Sequence, residues 1–214
     1  MNTADLVERL QSEAAPVEPL APPLLRAARL LAFSAAVGIA IVLVWGDVAG
    51  LAGRYAGENM LMAVELSAVT ATAILAVAGA FVLSVPGRSR VWLAAPLPPF
   101  LLWAGASGLG CYRDLARLGS PEGIGHAGSC LMFILGAGIA IGGPLLWRLS
   151  RARPIDPLPV AILGGLGSAA LAALLLQFFH PFALTVLDLG VHFAAVLTIV
   201  AVSAFLRRQA LAPA

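Results

Sequence analysis

Residues 60–110 read MLMAVELSAVTATAILAVAGAFVLSVPGRSRVWLAAPLPPFLLWAGASGLG. Two apolar runs, residues 60–84 and 91–110, flank a short polar link at 85–90 that holds Pro86-Gly87 and two arginines. A helix rises 1.5 Å per residue, so about 20 apolar residues cross the hydrocarbon of a bilayer. Each run is long enough, and a link this short joins antiparallel neighbours as a helical hairpin. The stretch therefore reads as two membrane helices that leave from and return to the same face.

Outward from this hairpin the same pattern repeats at about 28–46, 130–148, 159–179 and 188–206. Turn chemistry separates the runs: Ser120-Pro121-Glu122-Gly123, Pro154 with Pro157, and His180-Pro181. The expected fold is all-α, a six-transmembrane-helix bundle over residues 28–207. A cytoplasmic tail precedes it at 1–27 and another follows at 208–214. Glycines recur in the fourth span (Gly136, Gly138, Gly142, Gly143) and the fifth (Gly164, Gly165, Gly167). Small residues let membrane helices approach closely, which predicts that these two pack at the centre.

Composition agrees. The chain is 60% hydrophobic and 11% charged, with a mean hydropathy of +0.95. Soluble domains carry about a quarter charged residues. Lysine is absent, so all 13 basic residues are arginines. Ten of them fall in the N-terminal tail, the second and fourth links and the C-terminus; Arg54, Arg113 and Arg117 fall on the other side. The positive-inside rule places the ten, and both termini, in the cytoplasm. No basic patch interleaved with aromatics exists to hold nucleic acid directly.

The first 23 residues are acidic and proline-bearing, without the basic-then-apolar order of a signal peptide, and are expected to be retained. Thr3–Leu10 predicts a short helix capped by Thr3, with Leu6, Val7 and Leu10 on one face and Asp5 and Glu8 near its start. Pro16, Pro19, Pro22 and Pro23 then form a stiff connector. An isolated helix of this length is marginal in water, so it needs a surface: lipid headgroups or a soluble partner.

This topology sorts the reactive side chains. Cys111 closes the third span and Cys130 opens the fourth, with His126 in the loop between. His180 ends the fifth span, His192 lies a turn into the sixth, and Met60, Met62 and Met132 sit at the same ends. All are expected at the extracytoplasmic face. Three readings fit: a plain disulfide with capping histidines; a metal site, whose thiolate, imidazole and thioether ligands suit zinc, cadmium or copper; or a redox-sensing thiol pair. The Cys-x18-Cys spacing matches no zinc signature. Glu65 and Asp188 are the acids inside or at the edge of spans, both expected near enough to the outer interface to be solvated. No chain of ionisable groups crosses the membrane, which argues against a proton-coupled transporter. Catalytic motifs are missing: no nucleophile stands beside a base, no carboxylates pair, and no Cys-x-x-Cys occurs. An enzyme is not expected.

Leu83-Ser84-Val85-Pro86-Gly87-Arg88-Ser89-Arg90, Gly110-Cys111, Cys130, and His180-Pro181-Phe182 followed by His192 together resemble the NrsF family. These are six-span bacterial inner-membrane anti-sigma factors, and the likeness covers nearly the whole chain. The resemblance implies that the N-terminal tail, through Asp5, Leu6, Val7 and Leu10, holds an extracytoplasmic-function (ECF) sigma factor at the membrane. It implies that Cys111 and Cys130 are the pair that senses metal or oxidative stress; by their own placement at the same face, His126, His180 and His192 are candidate metal ligands or supports. The rival expectation is a small metal-handling transporter or carrier built on the outer Cys, His and Met set.

Overall fold

A computed structural model of the chain describes residues 2–14, 19–46, 60–118, 124–179 and 186–211. Every regular element among them is a helix: α1 Thr3–Glu13, α2 Pro23–Trp45, α3 Met60–Leu83, α4 Val91–Ala94, α5 Leu97–Leu118, α6 Ile124–Ser150, α7 Pro157–Leu176 and α8 Val186–Leu211. Among the described residues five helices are long and apolar enough to cross a membrane: α2, α3, α6 from Gly128, α7, and α8 from Leu189 to Arg207. Several such helices mark a membrane protein.

The span expected at 91–110 differs from the others. Its first residues form the single turn α4, the chain turns at Ala95-Pro96, and the continuous helix begins only at Leu97. Pro96, Pro98 and Pro99 explain the break. Without an N–H and with φ fixed, proline is tolerated in a first helical turn and not inside one. Phe100 N–H donates to the Pro96 carbonyl at 3.0 Å as that first turn closes. α5 then runs on through Tyr112, Arg113 and Asp114 to Leu118, polar residues that shorten its apolar length.

The same extension corrects the loop expected around the cysteines. Cys111 does not end its helix; seven residues of α5 follow it, and α6 begins at Ile124, six residues before Cys130. Only residues 119–123 between these helices lie outside the described chain.

At the centre stand α3 and α7, the two helices most enclosed by protein. α3 packs against α2, α5 and α7; α7 packs against α3, α6 and α8. Their meeting depends on missing side chains. A Cβ at Gly167 would lie 2.8 Å from Val77 Cγ2, and one at Gly79 would lie 2.9 Å from Leu163 Cδ1 and 3.0 Å from the Trp92 carbonyl oxygen. On the other flank of α7, a Cβ at Gly165 would meet Ser203 Oγ at 2.9 Å and Val200 Cα at 3.0 Å. With no hydrophobic force between helices in lipid, van der Waals contact at this range is what holds them. The expectation that the fourth and fifth spans form the centre is thus half correct. α7 is central, but its main partner is α3, and in α6 a Cβ at Gly136 or Gly143 would meet nothing within 4 Å.

Antiparallel packing gathers the arginines expected on one side. Arg26, at the start of α2, donates from Nη2 to the Arg148 carbonyl at the end of α6 at 3.0 Å, with its guanidinium 5.0 Å from the Phe81 ring centroid at the end of α3. Arg90 in the α3–α4 link pairs with Asp156 just before α7 at 3.3 Å. Exposed on both sides, this pair contributes little stability, about 0–1 kcal/mol, but it ties the two links together. Gly87, with φ of 77°, makes the tight turn that returns the chain after α3.

Substituting Gly165→Leu or Gly167→Leu should destabilise the bundle by about 1–3 kcal/mol or prevent its assembly, through overpacking. Gly136→Leu should leave it unchanged. Thermal melts of the detergent-solubilised variants, compared with the parent, would check the contrast.

Candidate functional site

Two places in the chain carry groups beyond those needed to hold helices together. One is the end of the bundle opposite the arginines. The other is α1.

At the first place, helix register puts residues far apart in sequence at the same end of the bundle. Gly110 of α5 lies against α3, where a Cβ on it would be 3.6 Å from Leu61 Cδ2 and 3.8 Å from Glu65 Oε1. Cys111 is the next residue and is 3% exposed. On α6, Cys130 is 5% exposed and belongs to the main apolar cluster with Val69, Trp103, Ile134, Leu176 and Val196. Gly138 of α6 abuts Ile199 of the parallel helix α8. Stepping back two turns along both helices sets Cys130 and His192 at similar depth. Phe193, the neighbour of His192, packs edge-on to Phe100 at 6.2 Å and tilted against Trp103 at 6.3 Å.

Glu65 is a correction. The acid expected to be solvated is buried, at 9% exposure, between α3 and the α5 backbone at Gly110. Burying a carboxyl group is costly unless neighbours compensate. Glu65, Cys111, Cys130 and His192 each engage a partner. Four helices thus contribute one polar or sulfur-bearing group each to this end of the bundle. The sequence signal for Glu65 was present, as a lone acid in a 24-residue apolar helix. What hid its burial was that the α5 backbone packs against it at Gly110, a contact no local pattern reports.

The other expected members are placed differently. His126 lies in the first turn of α6, but its side chain is outside the described residues; His180 is outside them altogether, as is the side chain of Asp188. Met60 and Met132 point away from the cluster, 80% and 70% exposed. Among the described residues no three His, Cys, Asp or Glu side chains form a group able to hold a metal ion. The two thiols are the reactive groups here, and both are shielded by protein.

At the second place, α1 runs Thr3–Glu13 with no buried residue. Its cap is Asn2, not Thr3. Asn2 has the extended backbone of an N-cap (φ −77°, ψ 151°), whereas Thr3 is already helical. Ala4 N–H donates to Asn2 Oδ1 at 3.5 Å and Asn2 N–H donates to Asp5 Oδ2 at 3.4 Å, a reciprocal capping box. The Asp5 carboxylate, expected to face a partner, is therefore engaged in starting its own helix. Leu6, Val7 and Leu10 remain on the surface at 41%, 48% and 59% exposure. Three apolar side chains on one stripe of an otherwise polar helix are left uncovered among the described residues.

Because Cys111 and Cys130 are enclosed, a membrane-impermeant maleimide should modify them at least about tenfold more slowly than a cysteine introduced at exposed Tyr112. Labelling should become equal after unfolding in sodium dodecyl sulfate. Mass spectrometry of the labelled chain reads both rates, and equal rates in the folded protein would show the cysteines to be open.

Compared with known proteins, the chain matches the family model of NrsF, negative regulator of sigma F, over residues 10–212. No curated protein and no solved structure was found to match it.

Proposed function

The chain belongs to the NrsF family, negative regulators of sigma F, and we propose that it is a membrane-bound anti-sigma factor. In this reading α4 and α5 together complete a sixth crossing, both termini face the cytoplasm, and the membrane is the bacterial inner membrane. The partner is an ECF sigma factor held through the N-terminal tail. The observation that carries the proposal, beside the family, is the uncovered Leu6–Val7–Leu10 stripe on a helix too short to stand alone. A helix of this kind docks by laying its apolar face in a groove. Glu8, Glu13 and Glu18 add negative charge toward a partner whose own surface must bind nucleic acid.

Release would begin at Cys111 and Cys130. Because α5 and α6 each bury a thiol, oxidation or metal capture there requires those helices to shift, and a shift in a packed bundle favours one of two arrangements over the other. A metal would need His126 or His180 beside the thiols. A coupling of about 1–3 kcal/mol between that shift and tail affinity changes partner retention about 5- to 150-fold.

Leu6→Asp with Leu10→Asp should reduce co-purification of the sigma factor at least about tenfold and leave membrane insertion unchanged. Undiminished retention by the double variant would remove the docking role. Cys111→Ala or Cys130→Ala, chosen because alanine buries no new hydroxyl, should leave retention intact and abolish release by cadmium or a thiol oxidant. Normal release in both would make the cysteines structural.

A further inference from the structure

Helix α2 touches the bundle tightly only at its base. Ala27 and Leu30 are its buried residues, and above them it diverges from α6 and α7 until Gly38 meets Leu175. The divergence leaves a groove of about 790 Å³ between α2, α3, α6 and α7. It extends from Leu30 to Leu43 on α2, about 20 Å at 1.5 Å per residue. That exceeds half of the roughly 30 Å hydrocarbon core, the depth of one leaflet. Ser34 and Thr70 are the polar side chains lining it, and the Thr70 hydroxyl already donates to the Leu66 carbonyl at 2.7 Å. Pro144 in the α6 wall removes the backbone hydrogen bond that would face Ala140, another wall residue. The walls offer an apolar chain everything and a polar ligand almost nothing.

The groove's end at the helix termini is different. Arg26, Leu30, Ser34, Val37 and Ile41 follow one another at helical spacing, so Arg26 heads the α2 wall. By the same spacing Arg148 heads the α6 wall formed by Ala137, Ile141 and Pro144. The two arginines adjoin through the 3.0 Å bond from Arg26 Nη2 to the Arg148 carbonyl. That bond uses one of the five N–H donors of Arg26. Among the described residues no carboxylate lies within ion-pair distance of Arg26, Arg29 or Arg148. Two like charges thus stand together at the mouth of an acyl-shaped groove, and a membrane supplies the chemistry that satisfies both parts.

We infer that the groove is a binding site for an anionic glycerophospholipid, its phosphate between Arg26 and Arg148 and one acyl chain along α2. α2 follows the tail, so the bound lipid would brace the helix that carries the tail. The inference uses the placement of the bundle in a membrane and is independent of which soluble partner the tail holds.

The full chain, reconstituted in equimolar phosphatidylglycerol and phosphatidylcholine and then extracted in mild detergent, should retain phosphatidylglycerol preferentially when examined by native mass spectrometry. About 1 kcal/mol per arginine corresponds to roughly fivefold each, so a preference above about tenfold is expected. Arg26→Gln with Arg148→Gln should bring the two lipids to parity. Val37→Trp, which fills the groove and leaves the arginines, should lose both lipids while helical content by circular dichroism is unchanged. Equal retention of the two lipids by the unaltered protein would overturn the inference whatever the variants do. So would a dimer cross-linked through α2 in place of bound lipid, which would assign the groove to a second copy of the chain.

Discussion

The close contact of α3 with α7 is the constraint on which the rest of the bundle depends. In lipid, helices gain nothing by hiding apolar surface from water, so contact distance decides which pairs hold. At Gly167 the α7 backbone lies so close to Val77 of α3 that no side chain would fit, and Gly79 of α3 leaves room for Leu163 of α7. Each of these helices then positions others: α3 carries α2 and α5, and α7 carries α6 and α8. The buried thiols are held by helices one step removed from that contact, Cys111 on α5 and Cys130 on α6.

The arrangement gives the bundle two chemically distinct ends. Arginines collect where α2 begins and α6 finishes, and they meet backbone carbonyl, aromatic face and one exposed carboxylate. At the opposite end a carboxyl group and two thiols from three helices are buried, and a fourth helix brings the half-buried imidazole of His192. A thiol buried on a packed helix responds to chemistry as a packing change, because interiors at this density do not deform gradually. A tail helix whose apolar stripe is uncovered, joined through a proline-bearing connector to the loosely seated α2, is suited to read such a change at the other face.

Much of this was legible in the chain itself. Apolar length marks the crossing helices, since hydrocarbon demands that every backbone group be satisfied within a helix. Arginine placement predicts which ends gather, and Arg26 with Arg148 and Arg90 with Asp156 bear that out. The reactive residues Cys111 and Cys130 stand out because they are the protein's two cysteines, and the Leu6–Val7–Leu10 stripe stands out by spacing alone.

What tertiary structure decided is different in kind. Both α6 and α7 carry recurring glycines, yet only contact reveals that Gly165 and Gly167 are filled against neighbours while Gly136 and Gly143 face open space. The helical run of α5 past Cys111 and the early start of α6 replaced most of an expected loop with helix, and the packing of α5 on α3 at Gly110 buried Glu65. The divergence of α2 that opens the lipid-shaped groove has no local signature. Composition and periodicity report what one segment prefers in a given solvent, and so they determined which segments are helices. Which faces meet, and which groups become buried as a result, depends on distances between segments far apart in the chain, and these exist only once the bundle has packed.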